Sequence, residues 1–194
     1  MGISERKKRE KARMQKLILD TASTLFIKGG LQNISIRKIA SIIEYSPATL
    51  YLYFKDKDEI LNSLKDKSTN DFIKKLGEFS FIKDYFGRLK NLSNSWIDFA
   101  VSQPDKYNLL FLNQTKIKDD KIYAYIHPII LQSISDNRIQ RMPVQEGTTI
   151  LISFLHGLSL LVISKKFDLD SKAELKEFAG NIINRFLNNL RGGY

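Results

Sequence analysis

Between positions 46 and 57 the chain reads Ser46-Pro47-Ala48-Thr49-Leu50-Tyr51-Leu52-Tyr53-Phe54-Lys55-Asp56-Lys57. Hydroxyls, phenols and ammonium groups at this density are the side chains that hydrogen-bond phosphate oxygens and base edges. Arg37 and Lys38, just upstream, add two more cations. Chemistry of other kinds has little to work with. Cysteine is absent, and the two histidines are His127 and His156. There is no His pair at i, i+4, no Glu-x-x-His pair and no Gly-rich phosphate loop. The expectation is therefore a binding protein and not an enzyme, with no metal and no cofactor.

Charge points the same way. The net charge is +10, and residues 1–57 hold 12 Lys/Arg against 5 Asp/Glu, so +7 of it lies in the first third. Such a concentration attracts phosphate polymers or anionic lipid. The densest run is Arg6-Lys7-Lys8-Arg9-Glu10-Lys11-Ala12-Arg13-Met14-Gln15-Lys16. It reads as an arm for phosphate or a minor groove, or else as a solvated terminus.

These groups need elements to hold them. Apolar residues recur at helical spacing almost throughout, and no useful segment alternates, so the chain is all-α. A first helix should run from Glu5 to Lys28, with Met14, Leu17, Ile18, Ala22, Leu25 and Phe26 as its stripe. Gly29-Gly30 should close it, since Gly accepts the left-handed cap conformation. Ser35 caps a short second helix whose inner face is Ile36, Ile39, Ala40 and Ile43. Ser46 caps a third, with Pro47 at its first position, where the missing N–H costs nothing. Asp56 caps a fourth starting at Lys57. Two short helices joined by a tight turn form a helix-turn-helix. Its second helix enters a major groove about 12 Å wide. Ser46, Ala48 and Thr49 suit that exposed face, and Leu50 and Phe54 suit the face that grips the module. Lys57, beside the free N–H groups of a helix start, suits a phosphate.

The stretch Lys16–Leu61 resembles the tetracycline-repressor-like (TetR) regulators. The resemblance lies in Ile18/Leu19-Ala22-Leu25-Phe26, then Gly29 or Gly30, then Ile36-Arg37-Lys38-Ile39-Ala40, then the block Ser46 to Leu61. It implies a three-helix DNA-binding domain over residues 1–61 and a helical sensing and dimerisation domain over 62–194. It makes Ser46–Tyr53 the recognition helix, with Pro47 and Ala48 on it. Thr49, Tyr51 and Lys57 become phosphate contacts, and Tyr53 a phosphate or groove-edge contact. Arg37, Lys38 and Lys55 complete the DNA-binding set. Two positions depart from the family pattern. Glu44-Tyr45 replaces the usual Gly-Val of the turn, so Glu44 should carry left-handed strain of roughly 1 kcal/mol. Tyr53 stands where His is common.

Beyond residue 66, helices are expected near 68–78, 82–102, 104–115, 119–135, 144–165 and 171–190, with Pro104, Pro128 and Pro143 at starts or breaks. Trp96, Phe99, Tyr107, Phe111, Tyr123, Phe154 and His156 are the candidate lining of an effector pocket. Each is also a candidate for ordinary core. The last two long helices carry the candidate dimer interface: Ile150, Leu151, Phe154, Leu155, Leu158, Leu161 and Val162, then Leu175, Phe178, Ala179, Ile182, Ile183, Phe186, Leu187 and Leu190. The apolar run Phe154–Ile163, interrupted by His156, Gly157 and Ser159, is about half a membrane span. No membrane partner is expected, and a reducing cytoplasm fits. The resulting expectation is a homodimer on a palindromic operator, a repressor released by a small, largely apolar effector. The alternatives are a ligand-blind DNA-binding or architectural protein and a helical-bundle enzyme.

Overall fold

The computed structural model describes residues 3–111, 120–164, 166, 167, 169 and 171–191. Among these every regular element is helical, as the periodicity requires: α1 (Ile3–Gly29), a 3-10 turn (Leu31–Asn33), α2 (Ile36–Ile42), α3 (Pro47–Tyr51), α4 (Lys57–Gly77), α5 (Tyr85–Ser102), α6 (Pro104–Leu110), α7 (Lys121–Ser135), α8 (Val144–Ile163) and α9 (Lys172–Leu190). The chain forms two compact units, Met1–Lys67 and Ser68–Tyr194. They divide within α4, six residues later than the boundary drawn at 61, because α4 continues as one helix where two were expected.

In the first unit, α1 ends on Gly30, whose φ of 67° is the left-handed cap that Gly supplies without steric cost. Ile18, Ala22 and Leu25 form its buried face and pack against the 3-10 turn and α2. Ser35 accepts from the Lys38 backbone N–H and Ser46 from that of Thr49, so both expected caps form. Asp56 accepts from the Glu59 backbone N–H at 2.8 Å and starts α4. Leu50, Phe54, Ile60 and Leu64 close the core from the other side.

In the second unit α5 is the hub, packing on α6, α7, α8 and α9. Asp84 caps it, and Ser171 and Glu174 form a reciprocal capping box on α9. Phe72 of α4 meets Trp96 edge-on at 4.9 Å and Phe99 at the same distance. The buried hydroxyls Ser93, Ser133, Thr148 and Ser159 each donate to the carbonyl four residues back, which leaves none of these donors orphaned. Pro128 does not break a helix as expected. It lies exposed inside α7, and the helix runs through it. The expected helix 104–115 ends at Leu110, and its last residues lie outside the described set.

The apolar run lies within α8, the helix expected near 144–165. α8 spans 20 residues and is long and apolar enough, by length and composition, to cross a membrane. Its Leu151, Leu155, Leu158 and Val162 are buried in the unit's core. Ile150, Leu160 and Leu161 stay exposed on its opposite side.

Candidate DNA-binding surface and effector cavity

The turn between α2 and α3 has the predicted strained residue: Glu44 has φ 60°. It aims α3 outward. Ser46, Pro47, Ala48 and Tyr51 are exposed, Thr49 is half-buried, and Leu50 alone on this helix is buried. The Ser46 and Thr49 hydroxyls lie 2.9 Å apart, so each is oriented by the other before any ligand arrives. α3 ends at Tyr51, two residues short of the recognition helix that the resemblance implies. Leu52 and Tyr53 instead form the turn behind it, and the Tyr53 N–H donates to the Leu50 carbonyl. Tyr51, expected as a phosphate contact, is 57% exposed, and Leu52, an apolar residue the sequence reading had not marked, is 75% exposed.

The cations divide into two groups. Arg37 and Lys55 are exposed. Lys38 and Lys57 are engaged: the Lys38 ammonium donates to the Asn33 side-chain carbonyl, and Lys57 Nζ donates to the Leu31 carbonyl at 2.8 Å. Asn33 in turn donates to the Leu25 carbonyl at 2.8 Å. Both lysines therefore clamp the 3-10 turn to its neighbours. An ammonium has three N–H groups, so each retains donors for a phosphate.

In the second unit a cavity of about 140 Å³ is lined by Trp96, Phe111, Asp120, Ile122, Tyr123, Thr149, Ile152 and Ser153. Three of the seven expected lining residues, Trp96, Phe111 and Tyr123, are on it. Tyr107 and His156 lie behind that wall. Trp96 Nε1 donates to the Tyr107 hydroxyl at 3.0 Å, which is also 3.0 Å from His156 Nδ1. His156 faces Phe111 with ring centres 3.9 Å apart. Burial pushes the Tyr107 phenol up to about 12, against the hydrogen bonds of Ser159 and Trp96 that lower it. Burial also holds His156 below the ordinary imidazole value of 6.5. The remaining two expectations are corrected. Phe99 is buried against Phe72, and Phe154 stacks on Phe186 of α9 with ring centres 3.7 Å apart. Neither lines the cavity. The sequence reading missed Asp120, Ile122, Thr149, Ile152 and Ser153. It favoured large rings, while much of the wall consists of small polar and aliphatic side chains at helix starts and edges.

An outward-facing capped helix, set by a left-handed turn on a three-helix core, defines the first unit as a helix-turn-helix module. Residues 18–64 match the profile of bacterial regulatory proteins of the tetR family. The first unit therefore carries the helix-turn-helix domain of that family of DNA-binding transcriptional regulators. Over 180 residues it is 20% identical to the uncharacterized HTH-type transcriptional regulator YobS of Bacillus subtilis (strain 168), covering 91% of this chain and 92% of that one. The fold is similar to that of the fatty acid degradation regulator FadR from Bacillus halodurans, with a TM-score of 0.72 at 17% identity over 92% and 97% of the two chains. It is also similar to AibR in complex with isovaleryl coenzyme A and operator DNA, with a TM-score of 0.67 at 17% identity over 88% and 96%.

Proposed function

We propose that this chain is a ligand-responsive repressor: a homodimer that holds a palindromic operator through paired α3 helices and releases it when a small, largely apolar molecule fills the cavity beside Trp96. The observation that carries the proposal is the continuity of α4. Phe72 of this helix packs against Trp96, which lines the cavity, and Lys57 starts the same helix against the 3-10 turn of the DNA-binding module. An effector that moves Trp96 displaces Phe72, and a helix without Pro or internal Gly transmits that displacement along its axis. The effector shifts the equilibrium only by its differential affinity for the two states.

The cavity argues for the ligand's chemistry. Its wall is mostly aromatic and aliphatic, with Asp120, Thr149 and Ser153 as polar groups. It suits an apolar body with one or two hydrogen-bonding groups. The isovaleryl coenzyme A bound by AibR makes short branched acyl thioesters a sensible first panel.

Dimerisation is assigned to α8 and α9. Of the residues expected there, Leu151, Leu155, Leu158, Val162, Ala179, Ile183, Leu187 and Leu190 belong to the unit's own core. The face left for a partner is Ile150, Leu160 and Leu161, exposed on α8, with the half-buried Phe178, Ile182 and Phe186 on α9. Two modules about 34–36 Å apart then meet successive major-groove turns. Binding DNA places the working protein in the cytoplasm.

Trp96 is the single tryptophan, so its fluorescence reports the cavity directly. The test is to footprint the protein on the DNA flanking its own gene, then titrate the candidate panel while recording Trp96 emission and operator occupancy. A compound that shifts emission and lowers occupancy together supports the reading. Emission and occupancy that stay unchanged across the whole panel favour a ligand-blind DNA-binding protein.

A further inference from the structure

The first ten described side chains of α1 touch no core. Ser4 through Arg13 are exposed, although the helix is continuous from Ile3, and the first fully buried residue is Ile18. This overhang is about 15 Å of helix at 1.5 Å per residue. It holds Arg6, Lys7, Lys8, Arg9, Lys11 and Arg13 against Glu5 and Glu10, and it precedes the family match.

Its cations surround the helix, and three of them continue its buried face. Lys11 lies seven residues before Ile18 and Lys7 lies eleven before it, spacings close to whole helical turns. Lys8 lies fourteen before Ala22, close to four turns. The three lysines thus extend, beyond the core, the same face of α1 that buries Ile18, Ala22 and Leu25 toward α2 and the 3-10 turn. None of the three has a hydrogen bond or ion pair among the described residues. Glu5 points well away from this face, and Glu10, on its opposite flank from Lys8, lies 3.7 Å from Arg6.

We infer that the overhang of α1 is a rigid phosphate clamp, with Lys7, Lys8 and Lys11 tracking the backbone of duplex DNA beside the module without reading sequence. This rests on the DNA-binding reading above and assigns it a second contact surface. A helix is about 10–12 Å across, and the minor groove is only about 6 Å wide. The ordered helix therefore cannot enter that groove as an extended arm does, and its contacts fall on the phosphate ridge. A membrane surface is the other polyanion. The overhang lacks what binding there needs: Ala12 is the sole apolar side chain from Ser4 to Arg13, so there is no face to bury among acyl chains.

The test is the triple variant Lys7→Gln, Lys8→Gln and Lys11→Gln in the full chain, since Gln and Lys have similar helix propensity. Binding to a mixed-sequence duplex of about 40 base pairs, several times the half-site spacing, is titrated against salt. The slope of log affinity on log salt should fall by about two to three per bound protomer, so by about five for a dimer, at about 0.9 per lost phosphate contact. The preference for footprinted over mixed-sequence DNA should stay the same. An unchanged slope, or a changed preference, overturns the clamp while leaving the regulator reading intact. Vesicles of phosphatidylglycerol that hold the wild-type chain more tightly than the duplex, and lose it in the triple variant, also overturn it. A wild-type chain that shows no salt-dependent duplex binding defeats both readings at once.

Discussion

Lys57 Nζ donates a hydrogen bond to the Leu31 carbonyl at 2.8 Å, joining residues 26 apart. The contact fixes the start of α4 against the turn that follows α1. It gives this lysine a structural duty as well as a place among the phosphate ligands. Lys57→Ala should lower stability by about 1.5–3 kcal/mol, the range for a hydrogen bond with a charged partner, and reduce the salt slope of DNA binding by about one per bound protomer. Denaturant unfolding and a salt titration on the same sample separate the two effects. An unchanged slope with reduced stability leaves Lys57 as a brace only.

Tyr107 should behave as a keystone of the effector unit. Its hydroxyl accepts from the buried Trp96 indole N–H and meets His156. Tyr107→Phe keeps the ring and orphans that indole donor, at a cost of about 1–3 kcal/mol. Guanidinium unfolding followed by Trp96 fluorescence measures it. A loss under about 0.5 kcal/mol, the usual size for surface substitutions, would show that water or Ser159 replaces the hydroxyl.

Stability should depend on pH through His156. Its folded value is held below 6.5 by burial, so the unfolded chain takes up the proton first as pH falls. The unfolded state then binds more protons, and stability rises with pH in that window. His156 contributes fully above about pH 6.5 and loses its contribution as pH drops from there through the folded value. Unfolding midpoints between about pH 7 and pH 5 should fall more steeply for the wild type than for His156→Gln. Parallel profiles would remove His156 as the source.

The exposed α8 stripe makes the dimer testable without DNA. Leu161→Glu places a charge where Leu161 is 48% exposed in the single chain, so it should leave the subunit folded. Sedimentation should then show a monomer where the wild type sediments as a dimer. Operator affinity should drop, and binding to mixed-sequence DNA should drop less. A variant that stays dimeric moves the interface off α8.

The first unit was legible in the sequence nearly to the residue because its determinants are local. Ser35, Ser46 and Asp56 cap their own helices, Pro47 fits only a first turn, and Gly30 and Glu44 hold the left-handed positions that end α1 and join α2 to α3. Long-range contacts were not legible. Nothing in the spacing shows that Lys38 and Lys57 reach back to Asn33 and Leu31. Periodicity marks which side chains face inward, but not where the interior is left unfilled. For this reason Phe99 and Phe154 were expected in the cavity and are found packed elsewhere, while Thr149 and Ser153 line it. Pro128 shows another limit: a local rule predicts a break, yet α7 continues through it.

The switch proposed above uses the unbroken run of α4 as a lever arm. From Phe72 to Lys57 is fifteen residues, about 22 Å of helix. A tilt of about 5° at the aromatic end sweeps the lysine end sideways by about 2 Å, on the scale of the helix shifts that switch allosteric proteins. In the switch proposed above, a molecule small enough for a 140 Å³ cavity acts through a slight wedge at a single ring.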